Sequence, residues 1–326
     1  MLERASIDDS AIITVLEKEY GLKIDNFEFL PVGAAGWSYR AETAPQGRWF
    51  VKLRQGKVYP PAVEIPVVLR QSLKTELLLP ALPTRQGDLW AETANFYLAV
   101  YPYLTGHNAM DLPLNDTNWQ KIGRFFAGLH SAGKIPILSD FLKVEKFNSD
   151  CQQIAPEVLN EALHKNHEGV ALILEKFIRE KAAEITRIIA RTRQLGQILR
   201  EKQPEMVLCH GDPNTSNIFV TETGELYVLD WDEVMLAPPE RDLMFFANEK
   251  NFWQGYDRAE WFVPDRTTLA YYRYEWVVQE IADFGEQVFW GDLTLPTKED
   301  ALQKFRQLFN PGDVVEEAYQ AEKFLI

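Results

Sequence analysis

Short runs of alternating apolar and polar residues dominate the first hundred positions and predict an antiparallel sheet. A helix from Asp8 to Tyr20 precedes it, because Ile12, Leu16 and Tyr20 share one face and Gly21 is a C-terminal stop. A short helix is inserted after the prolines at 60 and 61. The predicted strands are residues 27–32, 37–42, 48–53, a strand just before 93–95, and 96–104.

Beyond residue 105 the apolar positions change to helical spacing. Trp119, Ile122, Phe126 and Leu129 recur on one helical face. Long helices are predicted over 168–199 and 267–288, residues 134–165 are less regular, and the short apolar runs MVLCH, NIFV and ELYVLDW predict a small strand insert. The sequence therefore predicts an α+β fold of two lobes. They are a β-rich lobe with one inserted helix (1–104) and a mainly helical lobe (105–326), with a ligand-binding cleft between them.

Composition and charge narrow the functional classes. Hydrophobic residues make up 46% of the chain and the net charge is -14. Because the chain has no basic cluster, we do not expect it to bind nucleic acid. An acidic surface favours a cationic partner. Acidic charge also keeps proteins soluble, whatever they bind. Two cysteines, a polar N-terminus and the absence of a long apolar run predict a cytoplasmic protein without a membrane segment. The oligomeric state is not indicated.

The stretch CHGDPNTSNIFVTETGELYVLDWD, residues 209–232, gathers polar residues between short strands. A hairpin of this length can bring Asn217 and Asp230 to face one point. An amide oxygen and a carboxylate are a ligand set suited to Mg²⁺. Asp212, outside the metal shell, can then accept a proton from an alcohol. This spacing is that of a kinase catalytic loop and its metal-binding aspartate.

On this stretch, and on LDWDEVMLAPPERDLMFF and YYRYEWVVQEIADFG, the chain resembles the aminoglycoside phosphotransferase family of protein-kinase-like fold, in particular its spectinomycin phosphotransferase branch. The resemblance runs from Ile24 to Val288. It implies that Asp212 is the catalytic residue and that Asn217 and Asp230 bind magnesium. His210 is expected to brace the loop.

The resemblance also implies ATP as the phosphoryl donor. Lys52 in RWFVKL is expected to reach the α- and β-phosphates, and Glu64 on the next helix is expected to hold this lysine. A glycine-containing loop should cover the phosphates, and the segment around residues 101–104 should bind adenine through backbone groups. The nucleotide-binding residues predicted in this way are Lys52, Glu64, Gly33, Gly36, Ser38, Tyr101 and Tyr103.

Trp231, Asp232 and Glu233 follow the metal-binding aspartate and are expected at the mouth of the cleft. A carboxylate there can hold the amine of an aminocyclitol or aminoglycoside. The predicted function is therefore an ATP- and magnesium-dependent O-phosphotransferase acting on a small cationic hydroxylated substrate such as spectinomycin. The predicted helix 267–288 also carries the acidic residues Glu275, Glu280 and Asp283. Each of them is expected to be solvated rather than bound to a ligand.

Other functions remain open at this point. The same family phosphorylates choline-like alcohols, homoserine and sugars, so a kinase of a cellular metabolite is an alternative. A pseudokinase that acts as a binding module is a second, although it has no need for the complete set of Lys52, Asp212, Asn217 and Asp230. A metal-dependent phosphohydrolase is a third, and it leaves Lys52 and Glu64 unexplained. Fold-level resemblance does not select among substrates.

Overall fold

The computed structural model describes residues 3–32, 36–45, 47–132, 141–256 and 262–323. They fall into two compact units, each built from several segments of the chain. The first comprises Met1–Lys143, Val207–Leu236 and Phe245–Trp261, and the second comprises Val144–Met206, Ala237–Met244 and Phe262–Ile326. The boundaries of these two units differ from the predicted division of the chain at residue 104. The two lobes 1–104 and 105–326 therefore stay a prediction.

The described residues form helices and strands in the following order. The helices are α1 (Asp9–Val15), α2 (Pro61–Ser72), α3 (Asp116–Ser131), α4 (Cys151–His164), α5 (Gly169–Lys202), α6 (Glu240–Leu243), α7 (Lys250–Gly255), α8 (Arg266–Phe289), α9 (Leu295–Gln307) and α10 (Val314–Lys323). The strands are β1 (Asn26–Leu30), β2 (Trp37–Thr43), β3 (Gly47–Gln55), β4 (Ala91–Thr93), β5 (Phe96–Pro102), β6 (Gly106–Asn108), β7 (Lys143–Val144), β8 (Val207–Cys209), β9 (Ile218–Thr221), β10 (Leu226–Val228) and β11 (Met235–Ala237). A turn of π-helix extends α1 over Leu16–Tyr20.

The first unit contains a five-stranded sheet in the order β1-β2-β3-β5-β4, whose neighbouring strands are antiparallel. One face of the sheet is apolar, and its residues Tyr39, Val51 and Leu98 are fully buried. They form a hydrophobic core with Ile12 and Leu16 from α1 and the turn after it. The helix covers this face because its apolar residues recur every four positions.

The opposite face of this sheet carries polar side chains from its central strands. Ser38 of β2 stands opposite Lys52 of β3, and Lys52 stands opposite Ala99 of β5. Arg54 stands opposite Tyr97. Opposed residues on antiparallel strands share a face, and alternate residues of one strand do the same. Lys52 and Arg54 therefore point to the same side of the sheet.

The remaining strands form two smaller sheets. One has the order β10-β9-β6, and the other has the order β7-β11-β8. In the first of these, β9 and β10 form an antiparallel hairpin in which Ile218 is paired with Val228. Its turn contains Gly224 at a φ of 86°, a left-handed conformation that favours glycine.

Helices α3 and α7 of the first unit approach each other until their backbones touch. A Cβ atom on Gly123 would overlap the carbonyl oxygen of Phe252, and one on Gly255 would overlap the carbonyl oxygen of Gln120. Beside this contact the rings of Phe126 and Phe252 lie 6.2 Å apart. Glycine at these two positions permits the close packing of the helices.

The second unit is helical, and α8 packs there against α4, α5, α9 and α10. Tyr271 and Tyr274 of α8 are almost completely buried. So is Glu275, which is 1% exposed and accepts hydrogen bonds from Oγ of Ser149 and from Nε2 of Gln152, the latter at 2.8 Å. Glu275 therefore belongs to the core of this unit and not to a solvated face.

The predicted order of an antiparallel sheet followed by helices is confirmed. The segment 134–165, predicted to be less regular, contains α4 within its described part. None of the described helices has both the length and the apolar character needed to cross a membrane. The predicted elements that match are the strands at 27–32, 37–42 and 48–53, which are β1, β2 and β3, and the helices at 168–199 and 267–288, which are α5 and α8.

Candidate active site

The hairpin of β9 and β10 brings the two predicted metal ligands to one end. Asn217 closes a 3-10 turn directly before β9, and Asp230 follows Leu229 at the end of β10. The N–H of Leu229 donates to the carbonyl of Asn217 at 2.8 Å, which extends the strand pairing by one step. Residues that are distant in sequence therefore occupy neighbouring positions at the open end of the hairpin.

Asp212, the predicted catalytic residue, is fixed by two amide side chains. Nδ2 of Asn214 donates to Oδ1 of Asp212 at 2.9 Å. Nδ2 of Asn217 donates to the carbonyl of Asp212 at 2.8 Å and lies 3.4 Å from its Oδ2. Because Asn217 uses its nitrogen in this way, its Oδ1 oxygen is directed away from Asp212. The two residues are thus oriented by each other.

His210 is fully buried and joins the loop to the hairpin. Its Nε2 lies 2.9 Å from the carbonyl of Leu229, and the N–H of Asp212 donates to its Nδ1 at 3.3 Å. In this pattern Nε2 donates to the carbonyl of Leu229 and Nδ1 accepts from the N–H of Asp212. His210 therefore positions the backbone of Asp212, as the resemblance implied for a bracing residue.

Asp230 adopts an unusual backbone conformation, with a φ of 62°. Non-glycine residues in this left-handed region cost free energy and occur frequently at functional sites. Oδ1 of Asp230 accepts a hydrogen bond from Nζ of Lys52 at 2.8 Å. Desolvation would raise the pKa of Asp230, but the charge and hydrogen bond of Lys52, with help from Arg54, lower this pKa to about 2. The carboxylate is therefore ionised throughout the neutral range.

Lys52 and Arg54 bind the carboxylate of Asp232 as well. Nζ of Lys52 donates to Oδ1 of Asp232 at 2.7 Å. Nε and Nη2 of Arg54 donate to its Oδ2 at 2.8 and 2.5 Å. The side chains of both cations are 13% exposed, so these ion pairs are shielded from solvent. Together with Asp230 they form a network of two cations and two carboxylates, which we call the β3 charge network.

Glu64 lies outside the β3 charge network. It is half-buried on α2, and burial raises its pKa above the ordinary value. In the part of the chain that the structure describes, Lys52 makes its ion pairs with Asp230 and Asp232 and none with Glu64. The predicted pairing of Lys52 with Glu64 is not formed here, because two nearer carboxylates occupy the ammonium group. A nucleotide-binding role of Glu64 stays a prediction.

The predicted glycine loop is described in part. Gly33 lies outside the described residues. Gly36 is buried, and a Cβ atom at this position would overlap the guanidinium group of Arg54. Ser38 is also buried and stands opposite Lys52 in the sheet, on the face of the β3 charge network.

The two predicted tyrosines lie at and beyond the end of β5. Tyr101 is on the face of the sheet that carries Lys52, and its pKa is raised by burial and then by the charges of Asp232 and Asp230. The N–H of Tyr103 donates to the carbonyl of Arg48 at 3.1 Å. The backbone N–H of Tyr103 is therefore engaged within the protein.

The residues predicted to contact substrate occupy three different environments. Trp231 is 4% exposed, and its ring lies 4.5 Å from that of His210. Its indole thus packs in the core of the first unit, and the expectation that it is available to substrate is wrong. Both oxygens of Asp232 are bound by Lys52 and Arg54. The side chain of Glu233 is 52% exposed and lies 3.7 Å from the ammonium group of Lys143. A substrate contact of Glu233 stays a prediction.

Arg54 is a residue of the site that was not predicted from the sequence. Arg54 comes directly after the predicted strand 48–53, and extending that strand by one residue puts Arg54 on the face of Lys52. Its partner Asp232 is distant in sequence, and only the folded chain reveals the pairing.

Comparisons with known proteins place the chain in a family. The family model described as "Phosphotransferase enzyme family" (APH) matches residues 26–277. Protein StrN of Streptomyces griseus is 25% identical over 325 residues, covering 93% of this chain and 93% of StrN.

Solved structures agree with the family match. Spectinomycin phosphotransferase APH(9)-Ia, in complex with ADP and spectinomycin, has a TM-score of 0.86 at 24% identity and covers 98% of this chain and 100% of its own. Its AMP-bound complex has a TM-score of 0.80 at 25% identity, covering 96% and 98%. Amicoumacin kinase hAmiN, in complex with AMP-PNP, Ca²⁺ and Ami, has a TM-score of 0.61 at 14% identity, covering 94% and 95%. The kinase-like fold is thereby confirmed. Because the family model matches most of the chain, the protein belongs to the APH phosphotransferase enzyme family and is a phosphotransferase.

Proposed function

We propose that the protein transfers the γ-phosphoryl group of ATP, in the presence of Mg²⁺, to a hydroxyl of a small cationic aminocyclitol or aminoglycoside such as spectinomycin. The observation that carries this proposal is the arrangement of Lys52, Asp230, Asn217 and Asp212 within one unit. The cation that would meet phosphates is hydrogen-bonded to one predicted metal ligand, and the predicted base is hydrogen-bonded to the other.

The predicted metal ligands fit a magnesium ion by their chemistry. The carboxylate of Asp230 is ionised, since Lys52 lowers its pKa against the effect of desolvation, and Asn217 keeps its amide oxygen directed away from Asp212. Mg²⁺ prefers such oxygen ligands and is commonly held by one or two of them together with phosphates. When bound, the ion would neutralise charge on the transferring phosphoryl group.

The residues of the chain then divide the remaining work. Lys52 orients and neutralises phosphate oxygens. Asp212 orients the acceptor hydroxyl and takes its proton as the new O–P bond forms and the bond to ADP breaks. Asn214 and Asn217 hold the Asp212 carboxylate in place. Catalysis on this account is mainly positioning and charge stabilisation.

Three observations support a cationic acceptor. The net charge is -14, which favours the approach of cations. Glu233 exposes a carboxylate near the predicted metal ligand in sequence. The similar structures include spectinomycin phosphotransferase bound to spectinomycin, although a similarity at this level of identity establishes the fold and not the acceptor.

The function is tested by an ADP-release assay with ATP and Mg²⁺ over a panel of acceptors. The panel contains aminocyclitols, aminoglycosides, choline and amino alcohols, with the Asp212→Asn variant as the inactive control. We expect stimulation by an aminocyclitol or aminoglycoside and none with the variant. Stimulation by choline or an amino alcohol alone would replace the proposed acceptor with a metabolite. ATP consumption that no acceptor increases would contradict phosphoryl transfer to these alcohols.

A further inference from the structure

Arg54 is a second cation beside Lys52 for which the proposed mechanism has no role. It points from β3 to the same side of the sheet as Lys52. Two of its nitrogens, Nε and Nη2, are fixed by Oδ2 of Asp232 at 2.8 and 2.5 Å. Such a two-point contact sets the plane of the guanidinium group, which a lysine could not achieve.

The third nitrogen of this group, Nη1, lies against the α-carbon of Gly36. A Cβ atom at position 36 would overlap Nη1 and crowd Cζ of Arg54. The φ of Gly36 is outside the left-handed region, so the backbone itself does not demand glycine there. Gly36 is therefore required for the room that it gives to Arg54. Among the described residues, Nη1 donates no hydrogen bond, since the contacts of Arg54 run through Nε and Nη2.

We propose that Arg54 is a phosphate-binding residue for the polyphosphate chain of the nucleotide and that Asp232 positions it. The inference rests on the proposed function. Gly36 belongs to the loop expected to cover the phosphates, and Lys52, two residues away on the same face, is the predicted phosphate cation. A guanidinium group held between them presents its remaining N–H donors in the space where an anion would lie. On this view Asp232 acts through Arg54 and does not contact the acceptor.

A purely structural role is the alternative, in which Arg54 and Asp232 only fasten β3 to the segment after β10. The two roles differ in how they depend on the number of phosphates. A phosphate-binding arginine affects ATP and ADP and leaves adenosine unchanged. A fastening arginine affects all nucleotides to the same degree, because its loss would disturb the site as a whole.

The test is isothermal titration of ATP, ADP, AMP and adenosine, each with Mg²⁺, into wild-type protein and the Arg54→Gln variant. The matched control is Arg85→Gln, since the guanidinium group of Arg85 also lies against a glycine, Gly21, in the same unit. We expect Arg54→Gln to weaken ATP binding by about tenfold, as for loss of a hydrogen bond to a charged group, and adenosine binding by less than about twofold. Arg85→Gln should bind all four ligands as the wild type does.

A second variant tests the pairing of Arg54 with Gly36. Gly36→Ala should displace the guanidinium group and reproduce the phosphate-dependent loss. The double variant should lose no more ATP affinity than Arg54→Gln alone, because the two changes remove one interaction. An equal loss for all four ligands, no loss for ATP, or additive losses in the double variant would overturn the inference while leaving the proposed function intact. Wild-type protein that does not bind ATP would overturn both.

Discussion

Asp212 accepts hydrogen bonds from neutral amides, whereas Asp230 and Asp232 are bound by cations. This difference leaves Asp212 available to a hydroxyl. Asp212→Asn keeps the size of the side chain but cannot take a proton, so turnover should fall by at least about a hundredfold, with ATP affinity little changed. Steady-state assays and ATP titrations measure the two effects. The exposed Asp111, changed to Asn, is the control, and full turnover in Asp212→Asn would remove its assignment as the base.

The buried carboxyl group of Glu275 should make the stability of the second unit depend on pH. Burial raises its pKa, although hydrogen bonds from Ser149 and Gln152 act in the opposite direction. A carboxyl group with a raised pKa in the folded state binds its proton more tightly there than in the unfolded state. Its contribution to stability therefore declines as the pH rises through the folded pKa. Glu275→Gln removes this decline, so the variant should gain about 2 °C or more in Tm at pH 8 relative to wild type.

Thermal unfolding of both proteins from pH 5 to pH 8 measures this effect. The gain should shrink toward pH 5, where the wild-type carboxyl group is more often protonated. Glu180→Gln is the matched control, because Glu180 is exposed on α5 and its replacement should give no pH-dependent difference. A constant difference between Glu275→Gln and wild type at every pH would show that the charge of Glu275 is not responsible.

Single residues of the site were predictable where they follow one another in a short stretch. Asp212, Asn217 and Asp230 lie in one segment whose apolar runs predict a hairpin, and the hairpin exists. The ion pairs between β3 and Asp232 were not predictable, because they join segments far apart in sequence. Trp231 was misplaced for a related reason. Its burial depends on packing against His210 and Phe125, which no local pattern reveals.

At the level of elements, the backbone contact between α3 and α7 gives a sharp prediction. A Cβ atom on Gly123 would overlap the carbonyl oxygen of Phe252, a backbone atom that cannot rotate away. Gly123→Ala should therefore destabilise the protein by about 1–3 kcal/mol as the helices are forced apart. Denaturant unfolding followed by circular dichroism measures the change.

Gly128→Ala on the same helix is the matched control. Its Cβ atom would meet only the side chain of Leu73 at 3.5 Å, an ordinary van der Waals contact. Because alanine favours a helix more than glycine does, this variant should be more stable by up to about 1 kcal/mol. If Gly123→Ala were stabilised to the same extent as Gly128→Ala, the close approach of α3 and α7 would be refuted.

Helix α4 shows why some elements escape a reading of the sequence. Pro156 lies inside it and has no N–H to donate to the carbonyl of Gln152, so the local pattern argues against a helix. In the folded unit Nη2 of Arg193 on α5 donates to that carbonyl. The lost backbone hydrogen bond is thus replaced by a contact from another helix. Strands β1 to β3 need no such help, and their alternating residues predicted them correctly.

For the molecule as a whole, the fold and the family follow from the sequence, while the acceptor does not. The chain carries 34 basic and 48 acidic residues, but this imbalance identifies only the sign of the charge that it attracts. Proteins of one fold can act on different acceptors, so the fold does not identify this one. A substrate contact stays a prediction for the exposed Glu233, whereas Trp231 is buried and Asp232 is bound by Lys52 and Arg54.

The net charge of -14 nonetheless makes a prediction about kinetics. The field of an acidic protein raises the encounter rate with a cationic acceptor and lowers the rate with MgATP, which is anionic. Salt screens both effects over about 10 Å at 0.1 M. From about 20 to about 500 mM added salt, kcat/KM for the acceptor should fall by about threefold or more, whereas kcat/KM for MgATP should hold or rise. Measuring both constants across the same salt series, with an uncharged acceptor analogue as the reference, separates steering from general salt inhibition. Equal declines for the acceptor, its uncharged analogue and MgATP would mean that the acidic surface plays no part in attracting the substrate.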